Sequence, residues 1–297
     1  MLAGVAAGLG AGALWGLVFV APRMVSGYSA VDLTAGRFLS YGAVAALLTL
    51  LALRRRPLPT GSQALAAAGM SVLGFSGYYL LLVLAIRDAG TEVPTLVIGT
   101  IPVWVMLLGK PGHLKWAALL PGIALTAAGL ALMMGAPHES AGAGAMPRFW
   151  RGVAFAAASL ACWTAFALLN AAWLKKHPEV NATEWANWLG IATGLGALLL
   201  WAVAGSSPRE LLSQPDRGMF LALALGTGVG SAWLATILWN VASQRLSASL
   251  CGQLIVSETL FALLYSFAWD GRWPQPAQGA ACVLFTLGIL ASIKAHR

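Results

Sequence analysis

Glu258 is the side chain with the most chemistry to offer. It falls near the centre of an apolar segment spanning 246–268. An ionised carboxylate at the middle of a bilayer costs at least about 2.5 kcal/mol on insertion scales. Such a group must face a water-filled cavity, find a cation, or keep its proton. Two roles follow. It meets a substrate's ammonium or carries a proton for coupling, or it is a structural carboxylic acid hydrogen-bonded to a neighbouring helix. Ser257 beside it and Gln253 one turn earlier make the region polar enough for a wet cavity, which favours the first role.

Aromatic residues are the second theme, with 13 tryptophans in the chain. Trp116, Trp150, Trp269 and Trp273 stand at the ends of apolar segments and read as interfacial anchors. Trp15, Trp104, Trp163, Trp188 and Trp233 lie deeper. Ser159, Trp163, Phe166, Asn170 and Trp173 share one helical face. Lipid penalises Ser159 and Asn170, so that face is expected to look inward, with Trp163 the best candidate for a cavity-lining ring. Ser71, Phe75, Tyr78 and Leu82 form a similar face. Buried phenols need hydrogen-bond partners; Tyr78 is expected to line the cavity and Tyr79 to pack. Thr100 and Pro102 lie in a short segment where a broken helix would expose backbone carbonyls. Arg37 is only a few residues inside its segment, and is expected to snorkel outward or pair with Asp32 rather than meet a substrate. Asn240 and Arg245 are read as capping residues at a segment end.

These side chains need a scaffold, and the scaffold is written in hydropathy. Hydrophobic residues are 59% and charged residues 9% of the chain, against about 25% charged in soluble domains. A helix crosses the hydrocarbon with about 20 apolar residues. That ruler gives spans at 2–22, 33–53, 64–86, 93–109, 115–135, 150–174, 183–204, 217–240, 246–268 and 275–293. The first span lacks a basic leader and is read as a retained helix. Gly4, Gly8 and Gly12 form a small-residue face for close helix packing, either internal or between copies. Cys162, Cys251 and Cys282 fall inside spans and read as small packing residues.

The second half resembles the first. An offset of 148 carries Trp15 onto Trp163 and Gly42 onto Gly190; an offset of 157 carries Gly69 onto Gly226, Lys115 onto Arg272 and Trp116 onto Trp273. Five crossings per half force the copies into opposite orientations, an arrangement that in secondary transporters puts the substrate site where the copies meet. The expected fold is therefore an all-α membrane protein of ten transmembrane helices. Residues 1–140 and 141–297 would form two inverted five-helix repeats around a central cavity, joined through a Gly/Ala-rich loop near 136–149. Lys110, Lys115, Lys175, Lys176, Lys294 and the run Arg54, Arg55, Arg56 fall on one side, which is cytoplasmic by the positive-inside rule, as are both termini. The net charge of +8 is then explained by topology and anionic lipid, with no nucleic-acid partner.

Other chemistry is not signalled. His113, His138, His177 and His296 form no ligand cluster, no phosphate-binding loop is present, and no cofactor or metal is expected. A membrane enzyme acting on lipids would need acid, base or nucleophile groups gathered near one headgroup plane, and no such set is found. The rival within transport is a proton-coupled multidrug exporter, in which aromatic rings and a lone glutamate serve organic cations. The number of copies in the assembly is left open.

The aligned Trp15 and Trp163, the stretch LIVSETLFALLYSFAWDGRW from Leu254 to Trp273, and the segments TAGRFLSYG (34–42) and CWTAFALLN (162–170) resemble the ten-helix, EamA-like branch of the drug/metabolite transporter superfamily. Within it the pattern leans toward bacterial exporters of aromatic amino acids. The resemblance implies a basket of ten helices in an inner membrane, exporting amino acids and similar small metabolites by alternating access. It places Tyr78, Thr100, Trp163 and Glu258 at the cavity, with Trp15 and Ser257 added from the residue reading. Many members end the fourth and ninth spans with Gly-Glu; here those positions read Gly109-Lys110 and Asp270-Gly271.

Overall fold

The computed structural model describes residues 1–25, 27–53, 58–89, 92–134, 146–271, 273–274 and 276–296. The run Arg54–Arg56, most of the loop near 136–149, and Arg272 lie outside these. Among the described residues all regular structure is helical. In chain order the helices are α1 Leu2–Gly16, α2 Ala30–Ala52, α3 Gly61–Ser71, α4 Gly77–Ala89, α5 Glu92–Gly99, α6 Ile101–Leu108 and α7 Trp116–Met134. They continue as α8 Met146–Lys176, α9 Ala182–Ala204, α10 Pro208–Ser213, α11 Arg217–Gly226, α12 Ala235–Arg245, α13 Ala248–Asp270 and α14 Pro276–Ala295.

Seven described helices are long and apolar enough to cross a membrane: Ala30–Ala52, Gly61–Ile86, Pro147–Lys176, Ala182–Ala204, Arg217–Arg245, Ala248–Trp269 and Pro276–Ala295. Leu2–Gly16, Val97–Leu108 and Trp116–Leu132 are apolar but shorter. Their sides facing away from the protein carry leucines and valines, among them Leu50, Leu51, Leu199 and Val203, which suits lipid.

Local chemistry sets the helix starts. Ser29 and Asp32 cap α2, Thr60 and Gln63 cap α3, Asn181 and Glu184 cap α9, and Ser207 and Glu210 cap α10, each pair as a reciprocal capping box. The boxes of α2 and α9 begin equal-length helices 152 residues apart. The two helices pair over their length, and a Cβ added to Gly42 would meet the Gly194 Cα at 2.7 Å. That spacing of 152 residues is one helical turn longer than the offset of 148 read from the sequence. In Ala/Leu-rich helices a four-residue slip keeps the same face, so the sequence alone does not distinguish the two.

Two long helices are interrupted by π-helical stretches. Val72–Ser76 joins α3 to α4, and Thr227–Leu234 joins α11 to α12. The 157-residue offset carries the first onto 229–233, inside the second. Single π turns of this kind are frequent at functional sites. The short span breaks at Thr100, where α5 stops and α6 begins with Pro102 in its first turn. The first span departs from the 2–22 expectation: α1 ends at Gly16 and continues as 3-10 turns over Leu17–Phe19 and Ala21–Met24. Gly16 is where the chain crosses α13 most closely; a Cβ there would fall 2.8 Å from the Ala262 nitrogen.

The glycine face of α1 is internal. Gly4 meets Leu246 at the end of α12, while Gly8 and Gly12 meet Leu254 and Ser257 on α13. The other main pairings are α14 with α7, α4 with α8, α1 with α12 and α13 with α6. Polar pins cross these seams. Ser71 Oγ lies 2.9 Å from Thr193 Oγ1, Tyr41 donates to the Ala186 carbonyl at 2.6 Å, and Asn170 donates to Asn240 Oδ1 at 3.2 Å. Asp32 accepts from the backbone and hydroxyl of Ser206 at 2.8 and 2.7 Å, tying the start of α2 to the end of α9. Asp88 is ion-paired to Arg151 at 2.6 Å.

Candidate functional site

Three indoles from three helices meet in the interior. Trp15 ends α1, Trp163 lies mid-way along α8, and Trp239 is on α12. Their ring centroids are 6.3 Å (Trp15–Trp163), 5.4 Å (Trp15–Trp239) and 6.1 Å (Trp163–Trp239) apart. An aromatic chain continues from Trp163 through Phe166 and Phe75 to Phe38, with successive centroids 6.1, 5.5 and 5.9 Å apart. Edge-to-face and tilted contacts at these spacings are worth about 0.5–1.5 kcal/mol each beyond burial. Trp239 is fully buried, while Trp15 and Trp163 keep accessible surface.

Arg37, Tyr78 and Glu258 border the same interior. Each lies deep among the helices and yet retains accessible surface, as side chains lining an internal cavity do. All three lie within electrostatic reach of one another. Glu258 is held from behind, where Gly12 and Gly16 of α1 press on its backbone. Among the described residues its carboxylate has no hydrogen-bond or ion-pair partner. Arg37 turns inward: Nη2 donates to the Ser231 carbonyl at 3.0 Å, and the guanidinium carbon stands 5.3 Å from the Phe38 ring centroid. Ser231 belongs to the π-helical stretch 227–234, where the widened turn leaves a carbonyl available.

The residues singled out from sequence divide into those that border this space and those that do not. Trp15, Trp163, Tyr78 and Glu258 come together there. Thr100 is half-buried at the helix break, where its hydroxyl donates to the Val97 carbonyl at 2.6 Å. Ser257 is turned away: its hydroxyl donates to Leu254 O at 2.6 Å and fills the notch opposite Gly12. Gln253 points to a third side, donating to Thr126 Oγ1 and accepting from Ser292, both at 2.9 Å. One helix thus sends adjacent polar residues in different directions, and only Glu258 faces the cavity.

Two expectations change. Arg37 neither snorkels nor pairs with Asp32, whose oxygens are taken by Ser29 and Ser206; burial under the π-helical stretch redirects it. Asn240 is no exposed cap: it is fully buried, donating to the Ala182 carbonyl at 3.2 Å and bonding Asn170, which accepts from Trp185 Nε1 at 2.6 Å. Trp239 went unnoticed beside it, although a tryptophan directly before a buried asparagine was the available signal. Tyr79 packs as expected, its hydroxyl donating to the Ala30 carbonyl at 2.9 Å.

At one end of the molecule a separate cleft of about 370 Å³ is lined by Met1, His113, Arg245 and His296 among others. Burial pushes the His296 imidazole below its usual range. No group of three or more His, Cys, Asp or Glu side chains suited to a metal converges among the described residues.

Comparison with known proteins agrees with this architecture. Residues 2–135 match the EamA-like transporter family. The chain is 30% identical to the inner membrane protein YtfF of Escherichia coli (strain K12), over 99% of this chain and 96% of that one. A crystal structure of a protein 22% identical superposes with a TM-score of 0.77 over 98% of both chains, a likeness of fold. A multi-pass helical bundle with an aromatic, charged interior and a full-length relative of this kind lead to one conclusion: the chain belongs to the EamA-like transporter family.

Proposed function

We propose that this protein is a secondary transporter that exports amino acids and similar small metabolites from the cytoplasm, with aromatic substrates favoured, by alternating access. The observation that carries the reading is the convergence of Trp15, Trp163 and Tyr78 with an unpartnered Glu258 carboxylate on one internal cavity. Aromatic walls take a substrate ring, and the carboxylate takes its ammonium.

The reading includes ten crossings in two inverted halves, 1–140 and 141–297. Parity supports it. Met1 before α1 and His296 beyond α14 line one cleft, so both helix ends lie on one side and the number of crossings is even. Seven long spans are odd; adding the three shorter apolar helices gives an even set. The pairings also exchange under a swap of halves: α4 with α8 answers α12 with α1, and α1 with α13 answers α8 with α5 and α6. The two π-helical stretches occupy equivalent places and are the hinges about which the halves rock. Both termini are cytoplasmic and the membrane is the inner one, in line with the lysine distribution and with the inner-membrane relative from Escherichia coli.

Counterflow in liposomes tests this. Vesicles preloaded with unlabelled amino acid should accumulate labelled tryptophan, and Trp163→Ala should weaken tryptophan more than threonine. Exchange of a quaternary ammonium dye without amino-acid exchange would instead establish the multidrug reading, which the same carboxylate and indoles favour.

A further inference from the structure

Among the described residues one basic and one acidic side chain, Arg37 and Glu258, border this interior, and they form no ion pair with each other. Arg37 is on α2 and Glu258 on α13. They are close enough to feel each other's charge. They are nonetheless beyond the 4.0 Å that defines an ion pair, and no hydrogen bond joins them. Charges in a low-dielectric interior normally close such a gap, because an uncompensated one is costly. Here each is held where it is. Nη2 of Arg37 is fixed on the Ser231 carbonyl, and Phe38 supports the guanidinium. Nε of Arg37 is enclosed without a partner, whereas Nη1, with no protein partner either, is not enclosed. Glu258 is fixed through its backbone by the glycine face of α1.

We propose that Arg37 and Glu258 are the two ends of a clamp for a zwitterionic α-amino acid. The guanidinium takes the substrate carboxylate and Glu258 its ammonium; this rests on the carrier reading above and specifies its substrate class. The α-carbon unit of an amino acid keeps its opposite charges about 3 Å apart. With a charge-assisted hydrogen bond of about 2.8 Å at each end, it bridges groups up to about 8.6 Å apart. The two protein charges sum to zero, so a zwitterion enters a neutral site and leaves no charge unmatched. A pure cation leaves Arg37 unpaired and a pure anion leaves Glu258 unpaired, and the site rejects both on that account. Tyr78, coupled electrostatically to both charges, has a hydroxyl with no protein partner, available to either end of the substrate.

The test uses three ligands with one ring system: tryptophan, tryptamine (no carboxylate) and indole-3-propionate (no ammonium). Counterflow with the purified protein in liposomes should favour tryptophan over both analogues by at least about tenfold. Arg37→Gln should lose tryptophan and gain tryptamine relative to it; Glu258→Gln should lose tryptophan and gain indole-3-propionate. Should Arg37→Gln fail to fold, Arg37→Lys decides: tryptophan exchange with a raised KM supports the clamp, and an unchanged KM overturns it. Tryptophan exchange that survives both Gln variants with unchanged KM overturns the clamp and leaves the carrier reading standing. A wild-type protein that exchanges no amino acid overturns both.

Discussion

Ser257 and Glu258 are neighbours near the middle of α13 and both polar, yet they belong to different parts of the molecule. Ser257 bonds to its own helix and fills the notch opposite Gly12. Glu258, about 100° further round the helix, faces the cavity with no protein partner. Gln253 supplies a third case, fully satisfied between Thr126 and Ser292. Polarity inside a membrane is therefore not one signal. Where every donor and acceptor is spent on protein, the residue holds helices together; where a charge is left over, the proposed carrier has a group to offer its substrate.

Substitutions along this seam separate the two kinds. Gly16→Leu drives a side chain into the α13 backbone at Ala262 and should cost about 3 kcal/mol or more, read as a lowered unfolding midpoint in detergent. Gln253→Leu strands Thr126 and Ser292 and should cost about 1–2 kcal/mol, with exchange per folded molecule unchanged. Ser257→Ala removes a bond within one helix and should cost about 0.6 kcal/mol, near the limit of a thermal scan. Glu258→Gln should leave the midpoint where it is while tryptophan exchange falls at least about tenfold. A Glu258→Gln protein that melts early and transports normally would erase the contrast, and so would a Gln253→Leu protein that melts normally and fails to transport.

The contrast was only partly readable from the chain. Trp163 was singled out because it shares a helical face with Ser159 and Asn170, which lipid penalises, and Trp15 because the repeat offset carries it onto Trp163. Gly4, Gly8 and Gly12 announced close packing, but spacing along one helix carries no information about its partner, which proved to be α13. Arg37 was misread because depth alone cannot tell an arginine reaching for headgroups from one drawn to an inward carbonyl. That carbonyl, Ser231 O, is presented by a π-helical stretch with no compositional mark. Ser257 and Gln253 were grouped with Glu258 because sequence gives proximity along the helix and not direction around it.

The stretch Thr227–Leu234 has a further consequence, best expressed as phase. A π turn takes up one more residue than the α turn it replaces, so each one sets everything beyond it back by about 100°. Trp239 lies just past this stretch, and its contacts with Trp15 and Trp163 depend on that setback. Removing a single residue from 227–234 would let the helix run on as regular α and swing Trp239 off the other two indoles, without altering any side chain that touches the cavity. The surplus residue thus sets which face of the helix beyond it looks inward.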